Sequence, residues 1–303
     1  DASNISTWNE LTGTIDDIEF YNGVSSLTNK PTNVQDNSLL IEKDTARRYW
    51  FDEEGTTVDF PPTTTVVTKS TISSPDDMIM SSDGLKILVV DYNVVNCYTL
   101  STAWDLSTMN TTVTSSKSVS YNDGVSGINI NNDGSKIYVL DYIAQTLHEL
   151  DLTTNYDLST ASDNGVSKSV GGNVPTGLAF STDGLKLYVA DINPDQLRQY
   201  SLSTAWDLST MNTTAVATKS LGAINAEGMA MNNTGTKIWV MGSADDTVRE
   251  WTLSTAWDLS TATEGSTWDN SGVDTRLCGG DTDTDDTKLF FVGSQNGKFY
   301  EWI

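Results

Sequence analysis

Positive charge is scarce in this chain. Seventeen Lys and Arg stand against 41 Asp and Glu, a formal net charge of −24 over 303 residues. Nucleic-acid backbones and anionic membrane surfaces are held by Lys and Arg, so neither is an expected partner. Cysteine is nearly absent: Cys97 and Cys278 fall in a third and a first strand of the repeat described below. A disulfide needs Cα atoms within about 7 Å, so none is expected between them. The single histidine, His148, has no marked nucleophile or orienting acid, which a His-based catalytic site requires. No CxxC pair, Gly-rich phosphate loop or nucleophile elbow occurs, and no cofactor is expected. No apolar run nears the roughly 18 residues of a membrane span, so no membrane insertion is expected. The N-terminus carries no signal-peptide pattern, and a start at Asp1 fits a removed leader or a lost start. The acid excess favours solubility and suits a salty, extracellular medium that screens repulsion.

What is abundant is repetition. Five copies of a segment of about fifty residues run from residue 65 to the end, marked by Lys86, Lys136, Lys186, Lys237 and Lys288. Such a period with strand-like segments signals a propeller or a solenoid. In the third copy, residues 175–181 read as an apolar strand and Thr182-Asp183-Gly184 as a tight turn. Residues 185–191 form a second strand, 196–203 a third, and 215–221 a fourth after a longer connection. Four antiparallel strands of this length make one blade. The last copy stops after its third strand. The fourth-strand signature, Lys-Ser in a Thr/Val-rich run, occurs once before the first copy, at Lys69-Ser70. Residues 64–71 are therefore expected to supply the missing strand and close the ring. The expected fold is all-β: a five-bladed β-propeller over residues 61–303, preceded by a small β module at 1–60.

The pattern Ser/Asn-x-Asp-Gly-x-Lys-Ile/Leu-Tyr-Val-x-Asp, as in residues 181–191, resembles YVTN- and NHL-type propeller repeats. That resemblance covers 65–303 and speaks for fold, not function. The Leu-Ser-Thr-Ala-Trp-Asp-Leu-Ser-Thr segments look like those of bacteriophage structural proteins. Ile-Glu-x-Asp-Thr-x-x-x-Tyr-x-Phe-Asp (41–52) resembles a small module of phage tail-fibre and other virion proteins. Residues 37–60 read as a hairpin with a turn at Asp44–Arg47, and Pro61-Pro62 opens a short stiff linker.

The copies vary unequally. The Asp-Gly turns and the Ala-Trp-Asp-Leu-Ser-Thr segments share one face and barely change, whereas the second-to-third loops on the opposite face diverge. Variable loops on a rigid scaffold carry recognition. The candidate ligand-binding set on that face is Asp91, Tyr92, Asp141, Tyr142, Asp191 and Asn193, with Asp76, Glu227 and Arg276 around the channel mouth. Asp91, Asp141 and Asp191 read either as a cation cluster or, preferably, as caps of their own loops. The mouth charges suit a water-filled pore as well as a ligand. Trp104, Tyr156, Trp206 and Trp257 read either as a sugar-stacking ring or, preferably, as inter-blade packing. DTDTDD (281–286) lacks the Gly and Glu of an EF-hand loop and reads as a solvated turn. No carboxylate pair stands out at repeat-breaking positions, so the chain is expected not to be an enzyme.

These readings converge on a non-enzymatic virion exterior protein: a phage fibre, spike or decoration subunit. Residues 1–60 would dock to other virion proteins, and the variable face would meet a host-surface glycan or protein, with homo-oligomerisation open. A bacterial surface adhesin and a Ca-dependent propeller lactonase or glycosidase are the alternatives.

Overall fold

The computed structural model describes residues 72–302 apart from 120, 122 and 123, and the backbone of four earlier strands. The chain divides into two units, Asp1–Thr63 and Thr64–Ile303. In the first, β1 (Leu39–Ile41), β2 (Arg48–Phe51) and β3 (Thr57–Asp59) form an antiparallel sheet in that order. The expected hairpin is its first pair; the turn at 44–47 lies outside the described residues.

The second unit is a five-bladed propeller of four-stranded antiparallel sheets. Its earliest strand, β4 (Thr64–Thr68), belongs to the last blade. Blade 1 holds β5 (Pro75–Met80), β6 (Lys86–Asp91), β7 (Val94–Thr99) and β8 (Ser115–Ser118). Blade 2 holds β9 (Val125–Ile130), β10 (Lys136–Asp141), β11 (Thr146–Leu152) and β12 (Ala161–Ser169). Blade 3 holds β13 (Pro175–Phe180), β14 (Lys186–Ile192), β15 (Asp195–Ser201) and β16 (Ala217–Ser220). Blade 4 holds β17 (Ala226–Met231), β18 (Lys237–Gly242), β19 (Thr247–Leu253) and β20 (Ala262–Asp269). Blade 5 holds β21 (Leu277–Thr282), β22 (Leu289–Gly293) and β23 (Lys298–Trp302), completed by β4 in antiparallel register, Trp302 opposite Thr64. The closing strand expected from Lys69-Ser70 is thus in place, although those two residues lie outside the described set.

The core is divided into five apolar clusters, one in each seam between neighbouring blades. Second strands are covered on both faces. Their sequences accordingly run continuously apolar, as in Ile137-Tyr138-Val139-Leu140, fully buried. Both cysteines are free and buried, in different clusters.

The uniform face is an inter-blade latch. Each Asp of Ala-Trp-Asp-Leu-Ser-Thr caps a short 3₁₀ turn that the strand pattern does not signal; Asp207, for example, accepts from Ser209 N. A neighbouring blade holds that turn: Glu149 accepts from Leu208 N at 2.9 Å, Gln199 from Leu259 N at 2.8 Å and Glu301 from Leu106 N at 3.0 Å. The Trp carbonyls are gripped as well. Lys186 donates to Trp257 O and Lys288 to Trp104 O, both at 2.8 Å. The indoles lie on the turn glycines, so that a Cβ at Gly84, Gly184 or Gly235 would overlap the ring. The packing reading of these aromatics therefore describes the structure, and it explains the residue type at the turn and, in blades 3 and 5, the marker lysine.

Five inner strands, β5, β9, β13, β17 and β21, touch in a closed ring around the axis. The third residue of each is Asp77, Gly127, Gly177, Gly228 and Gly279. Glycine lets backbones of adjacent blades meet, as at Gly228 against Gly279. Asp77 replaces it in blade 1 and accepts from Ile128 N of blade 2 at 2.9 Å, which pins the two inner strands together.

Candidate functional site: the channel mouth on the variable face

Every inner strand carries a bulge at its start. The register skips Asp76 in blade 1, Ser126 in blade 2, Thr176 in blade 3 and Glu227 in blade 4, and both Cys278 and Gly279 in blade 5. A bulged residue leaves the ladder and its side chain is re-aimed. Asp76, Ser126, Thr176, Glu227 and Cys278 accordingly ring one end of the channel, around a cavity of about 330 Å³.

Two of these five side chains are structural. Ser126 Oγ donates to Pro175 O at 2.9 Å and Thr176 Oγ1 to Ala226 O at 2.6 Å, each tying its strand to the next blade. The others depart from that role. Glu227 accepts from Arg276 at 2.9 Å and from Ser243 Oγ at 2.6 Å. Cys278 is buried, which pushes its thiol up to about 12. Asp76 faces Arg276 and Glu227 and is approached by the Tyr92 N–H; burial pushes its carboxyl up to about 7 despite the nearby Arg276. The mouth charges named from the sequence, Asp76, Glu227 and Arg276, thus meet in one cavity. Tyr92 and Tyr142 stand on its rim, 65% and 36% exposed, and Tyr92 holds a left-handed φ of 60°.

The remaining sequence candidates do not line this cavity. Asp91 accepts from Ser73 and Ser74 N–H groups. Asp141, fully buried, accepts from Ile143 and Ala144 N–H groups. Asp191, also fully buried, accepts from Val174 and Asn193 N–H groups and pairs with Arg198 at 2.5 Å. Asn193 is spent on that loop. These carboxylates shape loops, the preferred of their two readings. The acidic turn behaves likewise: Asp283 accepts from Thr287 and Lys288 N–H groups, and Asp286 from Asn233 N. His148 stacks on Tyr121, whose hydroxyl donates to Asp163 at 2.7 Å.

The expectation that no carboxylate pair breaks the repeat needs correction. Asp76 and Glu227 occupy the bulge column where blades 2 and 3 carry hydroxyls. Sequence reading missed the structural partners Ser126 and Thr176 and the thiol Cys278. Aligning the first strands column by column exposes all five.

No family model matches the chain, and no curated protein does. Solved structures of similar shape are propellers and proteins of other description. The Cps50 (Swd1) β-propeller domain of Myceliophteria thermophila is 9% identical, with a TM-score of 0.48 over 79% of this chain and 99% of that one. Two proteins described as "putative 6-phosphogluconolactonase" also match. The one from Bacteroides fragilis is 14% identical, with a TM-score of 0.44 over 72% of this chain and 62% of that one. The one from Bacteroides uniformis is 12% identical, with a TM-score of 0.47 over 84% and 73%. At such identities the likeness extends to fold alone. The expectation of a chain without enzymatic activity is withdrawn as a correction: two of these neighbours are described as putative 6-phosphogluconolactonases, a description that is theirs and not this chain's.

The raised Asp76 carboxyl has a measurable consequence. The folded state holds this proton to about pH 7, the unfolded chain only to about 3.8. Its stabilising contribution is complete below the lower value and is lost as pH rises through the upper one. Asp76→Asn is therefore expected to melt higher than wild type at pH 8, by about 1 kcal/mol after screening by water in the open mouth. The two proteins should converge at pH 4. Calorimetric melting across pH checks this; equal differences at both ends would refute it.

Proposed function

We propose that this propeller is the ligand-binding head of a bacteriophage virion exterior protein, a fibre, spike or decoration subunit, and that its variable-face mouth takes a host-surface glycan. The observation that carries the binding half is the composition of the mouth. Exposed Tyr92 and Tyr142 border a 330 Å³ cavity that also holds Asp76 and the Glu227–Arg276 pair. The volume lies in the range of small-ligand sites. Tyrosine rings offer apolar faces to sugar C–H groups, while carboxylate and guanidinium groups bind hydroxyls. The virion half rests on the resemblance of the repeat and of residues 41–52 to phage structural proteins. In this reading residues 1–60 contact other virion proteins.

Glycan-array binding tests the first half. Tyr92→Ala and Arg276→Gln should each weaken a captured glycan at least tenfold; retained binding in both would sink the assignment. Immunogold labelling of source particles tests the second, with label on cell envelopes alone favouring a bacterial adhesin.

A hydrolytic reading is favoured by a separate observation. Asp76 keeps its proton to about pH 7 beside the ion-paired Glu227, an arrangement in which one carboxyl serves as acid. Cleavage of aryl glycosides by wild type and not by Asp76→Asn would establish it.

A further inference from the structure

The channel has a second end. On the face of the Asp-Gly turns, the inner strands enclose another cavity of about 150 Å³. The fifth residue of each inner strand is Ile79, Asn129, Ala179, Ala230 and Asp281. Three are apolar, and the two polar ones both line the cavity.

Asn129 is 6% exposed and lines the cavity, and its amide makes no hydrogen bond to another described residue; it is not among the buried polar atoms cut off from partner and solvent alike, so it opens onto the cavity. The other asparagines of this cavity are all committed. Asn131 accepts from Lys136 N at 2.9 Å, and Asn132 donates to Thr182 O at 2.9 Å. Asn232 accepts from Lys237 N at 2.8 Å, and Asn233 donates to Asp283 O at 2.8 Å. An amide facing a polar cavity is satisfied by what fills it, water or a ligand that replaces the water's hydrogen bonds. Asp281 accepts one N–H on each oxygen, from Met80 at 2.9 Å and Thr282 at 2.8 Å, which leaves each oxygen a further site.

The chemistry of the occupant follows from what lines the wall. No Lys or Arg does, so an anion has no counter-charge. A single carboxylate is a poor metal cage, and no group of three His, Cys, Asp or Glu among the described residues could hold a metal ion. A carboxamide and a carboxyl flanking Ile79, opposite Ala179, match a molecule with several hydroxyls and an apolar C–H face. We propose that this cavity is a second ligand site, for an uncharged polyol of monosaccharide size, hydrogen-bonded by the Asn129 amide and the Asp281 carboxyl. The site is independent of the variable-face mouth.

Tryptophan fluorescence separates the two ends. Trp104, Trp206 and Trp257 line this cavity, whereas no tryptophan lines the other. The full chain would be titrated with methyl glycosides of glucose, galactose, mannose and N-acetylglucosamine, with glycerol, and with calcium chloride. At least one glycoside or glycerol is expected to give a saturable change, weakened at least tenfold by Asn129→Leu and unaltered by Arg276→Gln. Asn129→Leu loses no protein hydrogen bond, so its Tm should match or exceed that of wild type. A lower Tm would make Asn129 a structural residue and overturn the proposal. It is also overturned by the absence of any response, by a response that survives Asn129→Leu or disappears in Arg276→Gln, or by saturation with calcium alone.

Discussion

Gly228→Ala should lower the melting temperature by roughly 6–12 °C. A Cβ at this position would overlap Gly279 N and lie 2.8 Å from Cys278 C, all backbone atoms of the next inner strand. Backbone cannot rotate aside as a flexible side chain does, so blades 4 and 5 must part at the axis. Overpacking of this kind costs about 3 kcal/mol at the upper end of its usual range. For a domain of this size each kcal/mol moves Tm by about 2–4 °C. The closed ring transmits the displacement, because every inner strand is wedged between two others. Gly272→Ala is the matched control. A Cβ there meets nothing within 4 Å, and its backbone is not left-handed, so its effect should stay within about 0.5 kcal/mol. Calorimetry of both variants decides the matter. If Gly228→Ala melts within a degree of wild type, the inner strands are not in the contact described.

Removing residues 1–68 should destroy the fold, whereas removing 1–63 should leave its melting temperature unchanged. The two truncations differ by β4 alone. Without it, β23 loses five paired positions, from Lys298↔Thr68 to Trp302↔Thr64. At about 1 kcal/mol net for each backbone hydrogen bond, the loss is on the order of 5 kcal/mol before packing is counted. It also opens a strand edge next to Phe299 and Trp302, which are 0% and 2% exposed in the intact ring. Unpaired apolar edges recruit other chains, so light scattering should rise as the melting transition disappears. A synthetic peptide of residues 64–71 added to the shorter chain should restore both signals by strand addition. A shorter chain that melts like the longer one would show that the ring closes elsewhere.

The architecture was legible because a propeller writes its period into the chain. The marker lysines counted the blades, and the displaced Lys-Ser run located the closing strand. Trp104, Trp206 and Trp257 were read correctly as packing because one residue type at one position in several copies implies one environment. The candidate site was legible only in part. Asp76, Glu227 and Arg276 were placed at the mouth, since the start of a first strand must face the axis. The bulge was not foreseen, because it depends on pairing rather than composition, and with it Ser126, Thr176 and Cys278 were missed. Asp141 and Asp191 show the opposite limit: an Asp ending a strand looks the same in sequence whether it faces solvent or caps its own loop. Asn129 gave no local sign, and Asp281 was read only as the start of the acidic turn 281–286, although it lies in β21. Their meaning appears only when the fifth residues of five distant strands are compared around one axis.

The pairing of Thr64 with Trp302 has a further consequence. Entry and exit of the propeller lie side by side on the outer strands of one blade, at the rim and away from the channel. A domain whose ends meet can be spliced into a surface loop of another protein, or cut open between any two blades and rejoined, without straining its core. Such a propeller is transferable as a cassette: lineages can exchange it whole and diversify its loops without redesigning whatever carries it.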